Sequence, residues 1–444
     1  MENVTYQEAM EYLERQQSRG MVLGLDVIRS LMHRLGDPQD RVKFIHVAGT
    51  NGKGSVCAFL NSVLMQAGYR VGRFLSPAVF GFCEQIQIDS QWIPELAVGR
   101  LMEQIRTAVE EMEAAGEGTP TMYELVTAMA FLAFAEYGCE YVVLETGLGG
   151  DEDATNVVTT TVCSVLTSIS LDHTRILGET LAEIAGHKAG IFKPGVPVVA
   201  VRPEDEAAAE VIRRHAEELN CPLHWVMPGT YFEKKRTARG RIIQYDTMDY
   251  QIALEGTYQV ENSALAAETV RQLREQDIQI KEMAFQNGMT LARWHGRMEI
   301  LHRDPLVIAD GAHNPAGAKA LADSLEKDFT NTRFLAIIGI LKDKNYRQVL
   351  KTLLPHVGQI YAITPDSPRA LSAKELAQTA EELATEEGLS VTVHLPADVS
   401  EAVRLAAAEA EQLQAAGEET GVLACGSLYY LGDLMRQVQE VFPA

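Results

Sequence analysis

Short apolar runs rich in β-branched residues alternate with longer amphipathic runs over most of the first half of the chain. The apolar runs have the length and composition of buried strands, and the intervening runs repeat apolar residues at the three- and four-residue spacing of helices. The predicted strands include "VKFIHVA", "YRVGRFLS", "YVVLET", "TVCSVLTSI" and "VPVVAV". Strands separated by helices pair in parallel through right-handed crossovers, so the pattern predicts a doubly wound, mostly parallel α/β sheet.

The pattern changes twice further along the chain. Residues 228–260 alternate polar and β-forming residues, which is typical of hairpin strands and predicts an antiparallel edge of the first domain. After "RWHGRMEIL" a second alternation of strands and helices begins, with "PLVIADG", "RFLAIIGIL" and "GVLACGS" among its strands. We therefore predict a first α/β domain over residues 1–291, a hinge at 292–298 and a smaller Rossmann-like α/β domain over residues 299–444.

The stretch "HVAGTNGKGSV" joins the first predicted strand to the helix that follows it. Glycines at this place allow a sharp turn that points successive N–H groups inward, at the positive end of the helix, and so form an anion site. Lys53 adds a mobile charge for terminal phosphates, and the hydroxyl of Ser55 or Thr50 can reach a bound Mg²⁺. The loop departs from the common phosphate-loop pattern at Val47 and Gly54, yet strand and helix flank it as that motif requires.

Composition narrows the classes of function. With 46% hydrophobic and 23% charged residues among 444, the chain is typical of a globular protein with more than one domain. Its net charge of −22 argues against sequence-independent binding of nucleic acid, which needs clustered Lys and Arg. The start "MENVTYQEAMEYLERQ" lacks the pattern of a secretion signal, no apolar run approaches membrane-spanning length, and the six cysteines are scattered, so we expect a cytoplasmic protein with reduced thiols.

Further chemistry-bearing side chains follow predicted strands, at the edge where open α/β sheets bind ligands. In the first domain these are Ser76, Glu145 and the pair Asp172 and His173. A hydroxyl, a carboxylate and an imidazole near a phosphate loop can complete the shell of a magnesium ion. A lone His such as His173 is more often a structural residue than a ligand, so its role stays open at this point.

Two other groups of residues are ambiguous on their own. Lys188 and Lys193 in "GHKAGIFKPG" have the pattern of ordinary surface lysines. In the second domain, "IADGAHNPAG" ends a strand with Asp310 and His313 ahead of a helix start. Capping of that helix accounts for Asn314 but not for the histidine.

Together these stretches resemble the folylpolyglutamate synthases, a branch of the Mur ligase family of ATP-dependent amide-forming enzymes. The resemblance runs along nearly all of the chain. It is carried by "HVAGTNGKGS", "LSP", "ETGLGG" with "DATNVV", "LDHT", "KAGI" with "KPG", "NSALA", "GRME", "DGAHNP" and "LKDKNY". It implies that residues 1–291 form the ATP-binding Mur-ligase-like domain and residues 299–444 the glutamate-ligase domain.

The resemblance also implies three sets of site residues. ATP would be held by Gly49, Thr50, Asn51, Gly52, Lys53, Gly54, Ser55, Asn262, Arg297 and Asp310. Magnesium would be coordinated, directly or through water, by Ser76, Glu145 and His173. Catalysis would depend on Lys53, on Lys188, which is often carbamylated in the family, and on His313.

The activity implied is the ATP-dependent addition of L-glutamate to the carboxylate of a reduced folate through an acyl phosphate, with dihydropteroate as a second acceptor. The implied cofactors are ATP as substrate, Mg²⁺ and a candidate monovalent cation, in a monomer that binds neither nucleic acid nor membrane. Two alternatives remain open: a Mur-type ligase acting on a cell-wall precursor, and an inactive nucleotide-binding regulatory homologue. Retention of Glu145, His173 and Lys188 speaks against the inactive form.

Five positions depart from the pattern common in that family. They are Gln85 and Asp151, where Arg is frequent, Tyr258 in place of His, His187 in place of Glu, and His295 in place of Pro. None of them removes the phosphate loop or a predicted metal ligand. We therefore expect the reaction type to be retained, with contacts to the pterin or to glutamate as the place where differences would appear.

Overall fold

The computed structural model describes residues 4–17 and 24–443. The segment "MENVTYQEAMEYLERQ", which lacks the pattern of a secretion signal, lies partly outside the described residues. The chain divides into two compact units. The first comprises Met1–Pro77, Phe82–Ala253 and Glu261–Ala292, and the second Ala78–Gly81, Leu254–Val260 and Arg293–Ala444.

The first unit is built on an eight-stranded sheet and a separate three-stranded sheet. Its strands are β1 (Lys43–Ala48), β2 (Val71–Phe74), β3 (Ile86–Ile88), β4 (Gln91–Trp92), β5 (Tyr141–Glu145), β6 (Thr161–Leu166), β7 (Val198–Val201), β8 (Leu223–Val226), β9 (Tyr231–Thr237), β10 (Gly240–Tyr245) and β11 (Met248–Ile252). Its helices are α1 (Tyr6–Gln17), α2 (Asp26–Arg34), α3 (Lys53–Gln66), α4 (Glu95–Ala115), α5 (Met122–Glu136), α6 (Thr174–Leu177), α7 (Leu181–Ala189), α8 (Glu206–Glu218), α9 (Gln259–Glu275) and α10 (Glu282–Leu291).

The large sheet has the strand order β4-β3-β2-β5-β1-β6-β7-β8, and its pairs from β2 to β8 are all parallel. Strand β5, with the sequence YVVLE, is buried along its whole length because helices cover both faces of a parallel sheet. Only β3 and β4 at one edge pair antiparallel. The doubly wound, mostly parallel sheet predicted from the sequence is therefore confirmed.

The prediction for residues 228–260 was wrong in one respect. Strands β9, β10 and β11 form their own antiparallel sheet and do not extend the edge of the large one. Alternate residues of this sheet, Tyr245 and Tyr250 among them, are buried, and their hydroxyls contact Glu268 and Ser263 on α9. The alternating pattern thus reflects one apolar face packed on a helix, which a hairpin at a sheet edge would also show.

The second unit is a six-stranded sheet with the order β12-β13-β17-β14-β15-β16, parallel except for β12. Its strands are β12 (Glu299–Arg303), β13 (Leu306–Asp310), β14 (Arg333–Ile338), β15 (Val357–Ala362), β16 (Thr392–His394) and β17 (Thr420–Cys425). Its helices are α11 (Pro315–Asp328), α12 (Tyr346–Leu353), α13 (Ala373–Glu386), α14 (Val399–Ala415) and α15 (Leu431–Val441).

Two apolar clusters cover the two faces of this sheet. Ile308 belongs to a cluster with α11, α12 and α13, whereas its neighbours Val307 and Ala309 belong to a cluster with α14 and α15. Successive residues of a strand point to opposite faces, so helices pack on both sides of the sheet. The second unit is therefore the Rossmann-like α/β domain that the sequence predicts. In the described part of the chain, every helix is too short or too polar to cross a bilayer.

Candidate active site

The phosphate loop joins β1 to α3, as the sequence predicts. Two of its glycines cannot be replaced by another residue unless neighbouring atoms move. Gly49 and Gly52 have φ values of +148° and +90°, in the region that side chains disfavour. A Cβ on Gly49 would lie 1.7 Å from Oγ1 of Thr167, and one on Gly52 would lie 2.3 Å from Oδ1 of Asn262. The loop therefore runs directly against neighbouring polar side chains, and Asn262 lies beside it as the resemblance implies.

A second loop, which follows β6, braces the phosphate loop. The N–H of Thr50 donates to the carbonyl of Ser168 at 2.7 Å, and the Thr50 hydroxyl donates to the carbonyl of Ser170 at 3.1 Å. The hydroxyl of Ser168 donates to the carbonyl of Asn51 at 3.2 Å. These bonds fix the loop before any ligand arrives, which lowers the ordering cost of binding a phosphate chain.

Lys53 and Glu145 form a charged pair beside this loop. The Lys53 ammonium donates to the carbonyls of Gly49 and Thr50, each at 3.2 Å, and lies 4.0 Å from Oε1 of Glu145. Glu145 ends β5 and lies opposite Val47 in the parallel pairing with β1, which explains why its buried carboxylate reaches the loop. An ammonium and a carboxylate are thus held close together at the carboxyl edge of the sheet.

Lys188 is buried in α7, and its ammonium donates to the carbonyl of Gly49 at 2.8 Å. Burial, and then the charge of Lys53, lower its pKa to about 7, against the opposing effect of Asp172 and Asp153. Taken alone, the sequence pattern indicated a surface lysine, and that interpretation was wrong. Near neutral pH a large fraction of this side chain is a neutral amine.

Lys193 also differs from a surface lysine. Its ammonium donates to Oδ1 of Asn156 at 2.9 Å and to the carbonyl of the same residue at 3.2 Å. Burial lowers its pKa to about 8. These bonds tie the loop after β5 to the segment after α7, so Lys193 contributes to the structure around the site.

The predicted metal ligands lie at the ends of three strands of the large sheet, β2, β5 and β6, with β1 between the last two. Ser76 follows β2 and precedes a cis peptide bond to Pro77, Glu145 ends β5, and His173 follows β6. His173 has a left-handed backbone, with φ of +51°, and its N–H donates to Oδ1 of Asp172 at 2.8 Å. Parallel strands bring their carboxyl ends to one edge of the sheet, so all three positions share the edge that holds the phosphate loop.

The donor set fits a hard divalent cation that keeps much of its water. Residues 4–17 and 24–443 contain no group of three His, Cys, Asp or Glu side chains arranged around a metal position. Near the loop, however, the buried hydroxyls of Thr146, Thr167 and Ser170 have no protein partner. Hydroxyl and carboxylate oxygens with room for water and phosphate oxygens are the surroundings that Mg²⁺ prefers.

In the second unit Asp310 ends β13 and is almost completely buried. Its Oδ2 accepts hydrogen bonds from the hydroxyl of Tyr258 at 2.6 Å and from the N–H of Met298 at 2.9 Å, and its Oδ1 accepts one from the N–H of Ala312 at 2.8 Å. Burial raises the pKa of Asp310, while the charge of Arg297 and these hydrogen bonds oppose the increase.

Arg297 and His313 contact the glycine that follows this aspartate. A Cβ on Gly311 would lie 2.3 Å from Nη1 of Arg297, so the guanidinium covers this residue. The Nδ1 of His313 lies 2.8 Å from the carbonyl of Gly311, which places the proton of the neutral ring on Nδ1. Asn314 caps α11 through the N–H of Gly317, as predicted. The second unit thus brings together Arg297, Asp310 and His313.

Sequence reasoning missed several polar residues of the first unit. Thr167 and Ser170 carry no motif, and they become visible only when β6 pairs with β1. Asp153 is a buried carboxylate that accepts the N–H of Leu148 at 2.8 Å, and its charge acts on Lys188. Its place in "DATN", a stretch that carries the family resemblance, is the signal that points to it.

Four of the five departures lie in direct contacts that their identities explain. Asp151 and His187 contact each other, with 2.9 Å between Oδ2 and Nδ1, so the two changes form one new pair. Tyr258 binds Asp310, as described above. The Nδ1 of His295 lies 2.9 Å from Oε1 of Glu299.

Comparison with known proteins identifies the family. The family descriptions "Mur ligase middle domain" and "Mur ligase, glutamate ligase domain" match residues 47–270 and 296–428. The dihydrofolate synthase/folylpolyglutamate synthase of Bacillus subtilis is 36% identical over 98% of this chain and 99% of that protein. This chain belongs to the Mur ligase family. The motif resemblance to its folylpolyglutamate synthase branch is confirmed.

Solved structures of Mur ligase family members agree with the described fold. The Escherichia coli protein FolC in complex with DHPP and ADP has a TM-score of 0.84 and 29% identity, and the match covers 98% of each chain. A bifunctional folylpolyglutamate synthase/dihydrofolate synthase with Mn, AMPPNP and L-glutamate bound has a TM-score of 0.79 and 28% identity, over 97% of this chain and 98% of that one. The roles of individual site residues in this Mur ligase family member stay predictions.

Proposed function

We propose that this protein is an ATP-dependent ligase that joins L-glutamate to the carboxylate of a reduced folate through an acyl phosphate. The observation that carries the proposal is the convergence of Lys53 and Lys188 on the carbonyl of Gly49 in the phosphate loop, with Glu145 beside them. A loop built only to bind a nucleotide would need Lys53, but it would not need a second, buried lysine.

The reaction starts with two anions, and their repulsion must be offset. In the proposal the N–H groups of residues 49–55 and the ammonium of Lys53 hold the triphosphate of ATP, and Asn262 supports the loop. An oxygen of the folate carboxylate attacks the γ-phosphorus, and the bond from that phosphorus to ADP breaks. Hydrogen-bond donors and charges that are already in place stabilise the negative charge of the transition state. They therefore lower the barrier to phosphoryl transfer without having to reorganise during the step.

A divalent ion fits the same edge of the sheet. We propose Mg²⁺ as that ion, with Ser76, Glu145 and His173 as its ligands, and a monovalent cation as a further candidate. When bound, such an ion supplies positive charge to the phosphate oxygens. The Mn reported in the structure of a relative supports a divalent ion in this family.

Lys188 has the chemistry that carbamylation needs. A neutral amine can add to CO₂ and lose a proton, which leaves a carbamate and replaces a potential positive charge by a negative one. The lowered pKa of Lys188 supplies the neutral amine near pH 7. We propose this modified form of Lys188 as the resting state of the enzyme.

The second step needs a neutral amine on glutamate. The amine nitrogen attacks the carbonyl carbon of the acyl phosphate, the bond from that carbon to the phosphate oxygen breaks, and one proton leaves with formation of the amide. With Nδ1 protonated, the Nε2 of His313 is the acceptor nitrogen and is our candidate for that proton. Arg297 and Asp310 are proposed to contact the nucleotide.

The identity of the acceptor is tested directly by phosphate release. Phosphate release from ATP is measured with Mg²⁺ and glutamate, in parallel with tetrahydrofolate, with dihydropteroate, and with neither. Release with both acceptors would establish a bifunctional synthase, which we propose from the bifunctional name of the Bacillus subtilis relative. Release with tetrahydrofolate alone would restrict the activity to chain extension.

The control for this assay is Lys53→Ala, which removes the mobile charge of the phosphate loop. We expect it to lower turnover by at least about a thousandfold, the range of a major charge-stabilising group. Near-normal ligase activity in Lys53→Ala, or wild-type release that requires no folate or pteroate, would contradict the proposed function. We further propose a cytoplasmic monomer, which size-exclusion chromatography with light scattering would test.

A further inference from the structure

The chain passes from the second unit to the first within a few residues, at the start of α9. Residues 254–260 belong to the second unit, and the following residues, with Asn262 beside the phosphate loop, belong to the first. Tyr258 lies in this connecting segment, four positions before Asn262.

The connecting segment is anchored on both sides of this tyrosine. The N–H of Thr257 donates to the hydroxyl of Ser324 on α11 at 2.9 Å, and the two hydroxyls also lie 2.9 Å apart. Gly256 has φ of +96°, and a Cβ there would lie 2.9 Å from the Tyr258 ring. The Tyr258 ring thus packs directly on the backbone of its own turn, and this packing fixes the direction in which the hydroxyl points.

That hydroxyl meets Oδ2 of Asp310 at 2.6 Å, a short distance for a hydrogen bond to a carboxylate. Oδ2 accepts two hydrogen bonds, from the Tyr258 hydroxyl and from the N–H of Met298, whereas Oδ1 accepts one, from the N–H of Ala312. A carboxylate oxygen has two lone pairs, so Oδ1 keeps capacity for another donor. The remaining capacity of Asp310 to accept a hydrogen bond therefore lies on Oδ1.

We propose that Tyr258 is a positioning residue, which fixes the carboxylate of Asp310 so that Oδ1 accepts a hydroxyl or N–H donor of the bound nucleotide. This inference rests on the proposed function in one respect, the nucleotide contact of Asp310. Tyr258 does not touch the reacting atoms. It acts because a buried carboxylate that loses one of its donors reorients toward those that remain.

The test compares Tyr258→Phe with the wild-type protein. The phenylalanine keeps the ring and its packing but cannot donate, so we expect weaker nucleotide binding by about tenfold, the range of one hydrogen bond to a charged group. Binding of AMPPNP with Mg²⁺ is measured directly by calorimetry, without turnover. In steady-state assays the KM for ATP should rise by the same factor, while the KM values for glutamate and folate stay within about twofold.

Two further variants separate positioning from a loss of stability. In Tyr258→His an imidazole N–H can replace the phenol as donor, and we expect it to bind AMPPNP more tightly than Tyr258→Phe. The matched control is Tyr430→Phe, since Tyr430 is a buried tyrosine of the same unit whose hydroxyl donates to the carbonyls of Ile337 and Cys425. That variant should lower the unfolding temperature and leave AMPPNP binding unchanged.

Unchanged AMPPNP binding in Tyr258→Phe would overturn the proposal, as would equal binding by the Phe and His variants. A loss of nucleotide binding in Tyr430→Phe equal to that in Tyr258→Phe would reduce both to effects on stability and would also overturn it. Failure of the proposed function has a different signature: the wild-type protein would bind AMPPNP but show no folate-dependent phosphate release, while the Tyr258 variants still differed in AMPPNP binding. A wild-type protein that binds no nucleotide would overturn both.

Discussion

At the scale of single residues, the burial of Lys188 lowers the stability of the folded protein. An amine with a pKa of about 7 in the folded protein and 10.5 as its ordinary value makes folding less favourable at neutral pH, because the unfolded chain binds more protons. The wild-type protein therefore gains stability as pH rises from about 7 to about 10, where both states become neutral. Below pH 7 the penalty is complete.

Replacement of Lys188 by Met should accordingly stabilise the protein while abolishing ligase activity. We expect a gain of about 2 kcal/mol at pH 7, after allowance for the hydrogen bond lost at Gly49, and a smaller gain toward pH 10. Urea unfolding of both proteins in CO₂-free buffer, at several pH values, measures this difference. A gain that does not depend on pH, or a Met variant less stable than the wild type at pH 7, would contradict it.

A second residue-scale prediction concerns Asp151 and His187, which are 2.9 Å apart and partly exposed. The pair links the loop after β5 to the helix that carries Lys188, and the N–H of Asp151 also donates to the carbonyl of His187 at 2.9 Å. His187→Glu would place two carboxylates together, and we expect it to destabilise the protein by about 1 kcal/mol and to lower activity.

The compensating change tests the electrostatic origin of that effect. In the double variant Asp151→Arg with His187→Glu, the two side chains carry opposite charges. We expect it to recover most of the stability and activity that His187→Glu loses. Unfolding midpoints in urea and phosphate release for the four members of the cycle measure the coupling. A double variant no better than the sum of its single changes would show that the contact is unimportant.

At the scale of elements, the start of α3 depends on Gly52, where any side chain would meet both backbone strain and a steric clash. Gly52→Ala would add both left-handed strain and a clash with Asn262, and we expect a cost of about 2 kcal/mol and the loss of AMPPNP binding. Gly68, which follows the same helix, is a matched control because its φ of +93° is nearly equal and no atom lies within 4 Å of its Cβ position.

Gly68→Ala should therefore pay only the strain, about 1 kcal/mol, and retain nucleotide binding. Calorimetric titration with AMPPNP and urea unfolding distinguish the two variants. Retained binding by Gly52→Ala would show that the loop can move away from Asn262, and loss of binding by Gly68→Ala would show that strain alone governs the site.

The same elements indicate how far sequence reasoning can reach. The alternation of strand and helix patterns predicts both sheets, because a strand that is buried on both faces is apolar along its whole length. Alternation in residues 231–252 records only that one face is buried, and it cannot say whether the partner is a sheet edge or α9. Lys188 was misread for a related reason, since burial of a polar side chain depends on the surrounding helices and loops.

At the scale of the whole molecule, each unit has its own apolar clusters, and the chain crosses between the units more than once. The motif-based resemblance assigns candidate site residues to both units but does not locate those crossings. Residues 78–81 and 254–260 belong to the second unit because they pack against residues that are distant in the sequence. The local sequence pattern does not predict such packing. The division into a domain at 1–291, a hinge at 292–298 and a domain at 299–444 stays a prediction.

Separate cores predict that unfolding occurs in more than one step. The three tryptophans allow each unit to be followed alone, because Trp92 and Trp225 lie in the first unit and Trp294 in the second. A Trp294→Phe variant then reports only the first unit, and a Trp92→Phe with Trp225→Phe variant only the second. We expect different midpoints in urea for the two fluorescence signals.

Nucleotide should shift these two signals unequally. The phosphate loop belongs to the first unit, and AMPPNP at 100 times its dissociation constant stabilises the binding unit by about 2.7 kcal/mol. The midpoint reported by Trp92 and Trp225 should therefore move to higher urea by more than that reported by Trp294, and Gly52→Ala should remove the shift. Coincident midpoints that move together with AMPPNP would show instead that the two cores unfold as one cooperative structure, in which case the Lys188 and Asp151 effects would be spread over the whole chain.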